Sequence, residues 1–173
     1  ATEKTIVNAG LSKAYSLPGL RLGWSVASEE YIKHAWSFHD FTVINVAYLS
    51  DWVASQILEK DRRRKILDRT KKHLNFNLNM LCDWANNEKA LSITRPMAGA
   101  ITFAKLNLPI KSEEFIFSLR DKYSVLLTAG KWHGLDGYIR FGYGTPSEYV
   151  MNGLQRVSKY LKSKNYHLMN FFI

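Results

Sequence analysis

The stretch that decides the fold is NAGLSKAYSLPGLRLGW, residues 8–24. Apolar residues precede it, a Pro-Gly pair lies within it, and a second apolar run follows that pair. Apolar runs on either side of turn-forming residues predict a strand, a turn and a strand, which we place at residues 5–8 and 20–26. Lys13 then ends the first strand and Arg21 begins the second. Such a hairpin can aim both cations at one small anionic ligand.

Residues 12–24, SKAYSLPGLRLGW, resemble the segment that carries the Schiff-base lysine in class I and II aminotransferases, the fold-type I pyridoxal-phosphate enzymes. In this resemblance Lys13 matches the lysine that binds the cofactor covalently, and Arg21 matches the arginine that binds the cofactor phosphate. Ser12 is the other candidate phosphate ligand, because Gly10 stands where many family members have a second serine. The resemblance therefore implies pyridoxal 5′-phosphate as the cofactor.

Two further motifs follow in the order of the family. PMAGAITF, residues 96–103, resembles the P-x-G-(A/G)-x-x-F strand, and YIRFG, residues 138–142, resembles the strand that carries the arginine for the substrate α-carboxylate. Arg140 matches that arginine, and the period of a strand puts it on the face opposite its apolar neighbours. The family also places residues 131–133 near the mouth of the active site, although their composition equally fits a surface loop.

The resemblance implies an α/β fold, the C-terminal part of the pyridoxal-phosphate transferase fold. We expect residues 1–60 to be a remnant of the large cofactor-binding domain. We expect residues 61–173 to be a small α/β domain with a mainly antiparallel sheet covered by helices. In the family the lysine segment lies past the midpoint of a longer chain, whereas here it begins at residue 8. The chain is therefore expected to be a C-terminal fragment that is inactive alone, because the residues that hold the cofactor ring would lie upstream.

The function that the resemblance implies is transfer of an amino group from an α-amino acid to a 2-oxo acid, in a full-length parent that resembles the homodimers of the family. An amine such as that of Lys13 can attack the cofactor aldehyde as a nucleophile. The guanidinium of Arg21 or Arg140 presents a planar fork of donors that matches a phosphate or a carboxylate. Two alternatives share these residues: another fold-type I enzyme, such as a β-lyase or decarboxylase, and an aminotransferase-like sensor domain of a transcription regulator.

Composition limits the other classes of function. Of the 173 residues, 46% are hydrophobic and 13% aromatic, which is enough for a packed core. No apolar run approaches the roughly 18 residues of a membrane span, so no membrane partner is expected. Cys82 is the single cysteine, which rules out an internal disulfide and favours a cytoplasmic setting. The five histidines show no metal-ligand spacing, so we predict no metal.

The net charge of +9 raises nucleic-acid binding as a possibility. Much of the positive charge lies at residues 62–65 and 71–72, within a predicted helix and away from its apolar stripe. Charge runs of this kind are usually solvated helix faces, so a nucleic-acid partner is not expected.

Hydrophobic periodicity organises the rest of the chain into helices and short strands. Helices are predicted to start after Ser28 and Asn45, to run over residues 61–86, to start after a Ser112 cap, and to follow a capping box at residues 145–148. The buried side of the first helix is assigned to Ile32, Ala35 and Trp36. Strands beyond the long helix are assigned to residues 91–95, 100–106, 125–127 and 138–143.

Two of these helices bear a continuous apolar stripe, and the part of the chain before them bears apolar residues without an evident partner. The stripes are formed by Leu67, Leu74, Leu78, Leu81 and Ala85, and by Val150, Leu154, Val157 and Leu161. The unpartnered residues are Ile6, Trp24, Trp36, Phe38 and Trp52. An exposed apolar patch of this size predicts self-association or poor solubility.

Overall fold

The computed structural model describes residues 4–163, which divide after Lys71 into two compact units. The first unit contains short elements: β1 (Val7–Gly10), a 3-10 helix (Pro18–Leu20), β2 (Gly23–Val26), α1 (Glu29–Ser37), α2 (His39–Thr42) and α3 (Tyr48–Ile57). Helix α4 (Lys60–Asn86) begins in the first unit and ends in the second. Then come β3 (Leu91–Ile93), β4 (Ile101–Leu106), α5 (Ser112–Tyr123), β5 (Thr128–Ala129), a second 3-10 helix (Gly130–His133), β6 (Tyr138–Gly142) and α6 (Ser147–Ser163). Across residues 4–163, every helix is too short or too polar to cross a membrane.

The second unit is built on a four-stranded antiparallel sheet with the strand order β3-β4-β6-β5. Strand β6 is therefore an inner strand, paired with β4 on one side and β5 on the other. Alternation along it is strict: Ile139 and Phe141 are buried, whereas Arg140 between them is half-buried and belongs to the opposite face. The prediction that period 2 separates Arg140 from the core face is confirmed.

Helices cover one face of this sheet. The C-terminal half of α4, together with α5 and α6, packs its apolar side chains against the buried residues of β3, β4, β5 and β6 in one continuous core. The stripe of α6 is buried as predicted, and so are Leu78, Leu81 and Ala85 of the α4 stripe. The charged side chains at the two ends of α5 complement the helix dipole. Glu113 and Glu114 lie in its first turn, and Arg120 and Lys122 lie in its last. The predicted small sheet covered by helices is therefore present.

One polar side chain interrupts the α4 stripe. Asn77 is fully buried, and its Nδ2 donates to the carbonyl oxygens of Tyr143 at 2.8 Å and Thr145 at 2.9 Å. These carbonyls lie in the short connection between β6 and α6. His73, one turn earlier on α4, lies with its Nε2 3.0 Å from the same Thr145 carbonyl. Asn77 thus fastens the end of β6 and the start of α6 to helix α4.

The hairpin predicted at the start of the chain forms, with different strand bounds from those predicted. β1 and β2 pair from Val7 opposite Val26 to Gly10 opposite Gly23. The first strand therefore ends two residues later than predicted. The second begins three residues later than predicted, because Pro18 starts a 3-10 helix that takes up the turn.

Helix α1 starts as predicted, since the Ser28 hydroxyl accepts from the amide of Tyr31. Its predicted buried side is wrong: none of its residues is buried, and Trp36 is 67% exposed. Apolar side chains are also exposed farther along: Ile44, between α2 and α3, is 84% exposed, and Leu49 of α3 is 70% exposed. Trp24 differs from the other predicted patch residues, because it is only half-exposed and contacts Tyr15 edge to face.

Four other local predictions are corrected. Helix α3 starts at Tyr48, and Asn45 instead accepts from the neighbouring Val46 amide. Ser112 is the first residue of α5 rather than its cap, and its hydroxyl donates to Asp136. The strand predicted at residues 125–127 falls at Thr128–Ala129, and α6 begins at Ser147, inside the capping box of residues 145–148 that was predicted to precede it.

Candidate functional site

The loop that joins β1 and β2, residues 11–22, holds three of the predicted site residues. The strands meet closely where this loop begins, because Gly10 and Gly23 lie opposite each other and the Leu11 amide donates to the Leu22 carbonyl at 3.1 Å. A Cβ atom at Gly23 would lie 2.8 Å from the Ala9 carbonyl oxygen, which explains why a glycine is needed there. Leu11 is fully buried and anchors the loop.

Lys13 lies in a tight turn at the start of this loop. Its carbonyl accepts from the Ser16 amide at 3.0 Å, and Ser16 has a left-handed backbone with φ of 58°. The Leu17 amide donates back to the Leu11 carbonyl at 3.0 Å, which closes the turn. The Lys13 side chain is exposed, and among residues 4–163 no group bonds to its ammonium. The amine is therefore available to a ligand.

Arg21 closes the same loop from the other side. It is a non-glycine residue in the left-handed region, with φ of 49° and ψ of 35°, a conformation that costs about 1–2 kcal/mol. Its backbone amide and its Nη1 both donate to the Pro18 carbonyl, at 3.4 Å and 2.9 Å. One of the five guanidinium N–H groups is thereby used, and within the described part of the chain the others have no partner. Ser12, half-buried, likewise keeps its hydroxyl unbound among residues 4–163.

Arg140 lies in the second unit, on the open face of β6. Its strand neighbours are Phe103 on β4 and Thr128 on β5, each directly opposite. Its Nη1 is 3.4 Å from Nε2 of His133, and the His133 ring contacts the edge of Phe103 with centroids 5.6 Å apart. Because arginine only donates, His133 is the acceptor in this contact. Within residues 4–163 the guanidinium therefore has one imidazole partner, and its other donors are free.

The second 3-10 helix, which carries His133, is held by Glu113 of α5. The Glu113 carboxylate accepts from Lys131 Nζ at 2.6 Å and from Trp132 Nε1 at 2.8 Å. These two hydrogen bonds, the one from Lys131 foremost, lower the pKa of Glu113, and the bond to Glu113 raises the pKa of Lys131. Residues 131–133 are thus ordered by contacts to α5 and β6. Glu113 itself was missed, because a glutamate in a first helical turn ordinarily indicates only a favourable helix end.

The 96–103 motif forms the approach to β4. Gly99 has φ of 94°, which favours glycine, and the Tyr143 hydroxyl donates to its carbonyl at 2.9 Å. Burial raises the pKa of Tyr143, so the phenol stays protonated and able to donate. The Tyr143 amide donates to Ala100 at 2.9 Å. The motif is therefore tied to the residue that follows β6.

A cavity of about 480 Å³ opens in the second unit beside the residues that lead into β5 and beneath α6. Arg140, Thr128 and Arg156 are among its lining residues. Over residues 4–163 no group of three or more histidine, cysteine, aspartate or glutamate side chains is arranged to hold a metal ion.

The three predicted residues of the first unit, Ser12, Lys13 and Arg21, thus share one loop. Arg140 belongs to the sheet of the second unit. The structure supplies the local geometry of each site, and the functional roles of the four residues stay predictions.

Comparison with known proteins places these features in context. The profile of the family described as aminotransferase class I and II matches residues 1–157. Among curated relatives, aspartate aminotransferase of Pyrococcus horikoshii is 26% identical, over 95% of this chain and 43% of the relative. The (5-formylfuran-3-yl)methyl phosphate transaminase of Methanocaldococcus jannaschii is 27% identical, over 92% and 42%. Capreomycidine synthase of Streptomyces vinaceus is 25% identical, over 87% and 39%.

Solved structures agree with these matches. A PLP-dependent aminotransferase from Streptococcus suis superposes with a TM-score of 0.89 and 32% identity, covering 93% of this chain and 42% of that one. An aromatic aminotransferase from Pyrococcus horikoshii superposes with a TM-score of 0.87 at 22% identity, covering 94% and 44%. The predicted α/β fold, antiparallel sheets covered by helices, is confirmed. The chain spans about two-fifths of the length of the relatives that it matches.

Proposed function

The chain belongs to the aminotransferase class I and II family, and on that premise we propose that it is part of a pyridoxal-phosphate-dependent aminotransferase that moves an amino group from an α-amino acid to a 2-oxo acid. The observation that carries the proposal is the loop at residues 11–22. Among the residues that the structure describes, no group bonds to the lysine amine in one turn of that loop, and the arginine fork in the other turn keeps free donors. Both groups fit a ligand that has an aldehyde and a phosphate.

Ser12 and Arg21 are the residues that would hold the cofactor phosphate. A phosphate accepts hydrogen bonds on every oxygen, and the guanidinium of Arg21 offers a planar pair of N–H groups with a permanent charge. The left-handed backbone and the bond to the Pro18 carbonyl fix where the fork begins. The Ser12 hydroxyl adds a neutral donor nine residues before Arg21 in the same loop. The donor set therefore fits the group.

Lys13 would bind the cofactor aldehyde through its amine. When bound, pyridoxal phosphate supplies an electron sink for the bond broken at the substrate Cα. The free Lys13 amine would then be a base that could remove the proton from the substrate Cα and return it at a later step. The exposed position of Lys13 leaves room for both tasks.

Arg140 would bind the substrate α-carboxylate. A bidentate arginine fixes both oxygens of a carboxylate, so that the bond to be broken at Cα is held in one orientation. Arg140 is half-buried on an inner strand, which restricts the motion of its side chain more than an exposed loop would. This assignment makes the substrate an α-amino acid and the acceptor a 2-oxo acid.

The remaining proposals concern the whole protein. Residues 1–60 are assigned to the large cofactor-binding domain and residues 61–173 to the small domain. The exposed apolar side chains of α1–α3 support a homodimer of the full-length parent, and the single Cys82 supports a cytoplasmic setting. The chain alone is proposed to be inactive, because it spans about two-fifths of its relatives.

A second candidate reaction has one observation in its favour. Capreomycidine synthase, a relative that is not named as a transaminase, is 25% identical over 87% of the chain. A different reaction at the substrate Cα or Cβ would use Lys13, Arg21 and Arg140 in the same way. Product analysis separates the two candidates: transamination yields equal amounts of a new amino acid and a new 2-oxo acid.

The test of the cofactor site is borohydride reduction of the chain mixed with pyridoxal phosphate, followed by mass mapping of the modified lysine. The expected result is one modified residue, Lys13, with the label lost in Lys13→Ala. Lys33→Ala is the matched control, since Lys33 is an exposed lysine paired with Glu29 on α1. Arg21→Gln is expected to raise the pyridoxal phosphate concentration needed for labelling. Labelling spread over many lysines, unchanged in Lys13→Ala, would contradict the assignment.

A further inference from the structure

We infer that His133 is a positioning residue for Arg140: it accepts a hydrogen bond from one edge of the guanidinium and so leaves the opposite edge aimed at the substrate carboxylate. This inference rests on the proposed function, in which Arg140 binds that carboxylate. The inference extends the proposed function by assigning a role to a residue that contacts Arg140 rather than the substrate. Through His133, the orientation of Arg140 depends on contacts made by α5.

The contact itself has a defined direction. Arg140 Nη1 lies 3.4 Å from His133 Nε2, and arginine has no acceptor, so the lone pair must be on Nε2. The imidazole in this contact is therefore the neutral tautomer with its proton on Nδ1. A guanidinium has several donors, and one of them is used here. The remaining donors are those that a carboxylate would bind in a bidentate manner.

The position of His133 is fixed from two sides. Its ring meets the edge of Phe103, with centroids 5.6 Å apart and planes at 74°, and Phe103 lies directly opposite Arg140 in the sheet. On the other side, the Glu113 carboxylate holds Lys131 and Trp132, the two residues before His133. An imidazole that is held on both sides can restrict the arginine that it contacts.

Gly130 makes this arrangement possible. It starts the 3-10 helix, and a Cβ atom there would lie 2.2 Å from the Leu135 carbonyl oxygen and 2.6 Å from that of Tyr138. Only glycine lets the helix approach the start of β6 this closely. The contact between His133 and Arg140 therefore depends on residues 130–133 and on Glu113, which holds two of them.

The test compares two substitutions that separate the hydrogen bond from the ring. His133→Phe keeps an aromatic ring beside Phe103 and removes the acceptor, whereas His133→Gln keeps an acceptor near the Nε2 position and removes the ring. The probe is pyruvate, a small 2-oxo acid. Its dissociation constant is measured by NMR titration of the 173-residue chain, read at the arginine Nε–Hε signals. His34→Phe, an exposed histidine on α1, is the control.

The expected result is about fivefold weaker pyruvate binding in His133→Phe, which corresponds to one hydrogen bond. Binding should return to within about twofold of the original in His133→Gln. Arg140→Gln should weaken binding by about tenfold or more, and adding His133→Phe to it should change nothing further, because coupled residues are not additive. Thermal melting followed by circular dichroism checks that each variant is folded.

A second readout does not depend on pyruvate. In a chain labelled with ¹⁵N-histidine, the His133 signals should show an unprotonated Nε2 whose shift changes in Arg140→Gln. A proton on Nε2 would overturn the inference. The inference would also be overturned if Arg140→Gln lost pyruvate binding while His133→Phe bound pyruvate as tightly as the original chain. The role of Arg140 would then stand. Unchanged pyruvate binding in Arg140→Gln, or no pyruvate binding by the original chain, would instead remove the carboxylate assignment of the proposed function and the inference with it.

Discussion

Replacing Gly130 with alanine tests how the second 3-10 helix is built. The added Cβ atom would lie 2.2 Å from the Leu135 carbonyl oxygen, 2.6 Å from the Tyr138 carbonyl oxygen and 2.8 Å from the Tyr138 Cβ. Two of these atoms belong to the backbone, so rotation of a side chain does not relieve the overlap. The loop must move away, and the bonds from the Leu135 amide to Gly130 and from the Tyr138 amide to Leu135 then lengthen or break.

The magnitude follows from these two effects. Overpacking costs about 1–3 kcal/mol and each lost hydrogen bond about 1 kcal/mol, so we expect Gly130→Ala to lower the free energy of unfolding by about 2–4 kcal/mol. With a urea dependence of about 1–3 kcal/mol per molar, the unfolding midpoint should fall by about 1–2 M. The assay is urea unfolding of the chain followed by far-ultraviolet circular dichroism.

Gly153 provides the matched control. It lies within α6, and a Cβ atom there would meet no atom within 4 Å. The same Gly→Ala change should therefore raise stability by about 0.5–1 kcal/mol, through the better helix propensity of alanine. If Gly130→Ala unfolded at the same urea concentration as the original chain while Gly153→Ala shifted upward, the close approach described for Gly130 would be wrong.

Three further predictions concern other contacts. Asn77→Ala leaves the buried Tyr143 carbonyl without its donor and removes one of the two side chains at the Thr145 carbonyl, so it should destabilise the chain by about 1–3 kcal/mol in urea unfolding. Asn79→Ala, which loses one exposed bond from Arg95, should cost less than about 1 kcal/mol, and equal losses would contradict the role of Asn77. The hydrogen bonds from Lys131 and Trp132 lower the pKa of Glu113. The stability that they contribute is therefore complete above the ordinary pKa of 4.5 and is lost as pH falls through the lowered pKa. The melting temperature of Glu113→Gln should therefore lie below that of the original chain above pH 4.5, with the gap narrowing on acidification; a constant gap would count against it. Leu49→Lys should reduce self-association in sedimentation velocity, whereas Leu126→Lys, at an exposed residue of the second unit, should not.

The elements that sequence predicted best are those with a long, regular pattern. Helix α4 was expected at residues 61–86 and spans Lys60–Asn86, because five apolar residues at helical spacing define one face over many turns. The apolar stripe of α6 is buried for the same reason. Arg140 was separated from the core by the period of its strand, which depends only on local backbone geometry.

The features that sequence did not predict depend on which partner a residue meets. Trp36 fits the apolar side of α1, yet periodicity does not say whether anything covers that side. Ser112 is a favoured cap, but its hydroxyl donates to Asp136, which lies 24 residues away in sequence. The bonds of Glu113 to Lys131 and Trp132 depend on tertiary contacts in the same way. Residues 125–127 have strand-forming composition, and the pairing with β6 nevertheless begins at Thr128.

Asn77 has a consequence for how α4 is aligned along the sheet. The apolar stripe of α4 repeats every three or four residues, so a shift of the helix by one turn, about 5.4 Å, would bury a similar set of side chains. That shift would bring Leu81 to the Tyr143 and Thr145 carbonyls in one direction, and in the other it would bring His73, whose neutral imidazole has one N–H where the Asn77 amide has two. Leucine offers no donor, and an aspartate at this position would turn an acceptor toward two acceptors. One polar side chain thus selects a single alignment that the leucines of α4 leave ambiguous.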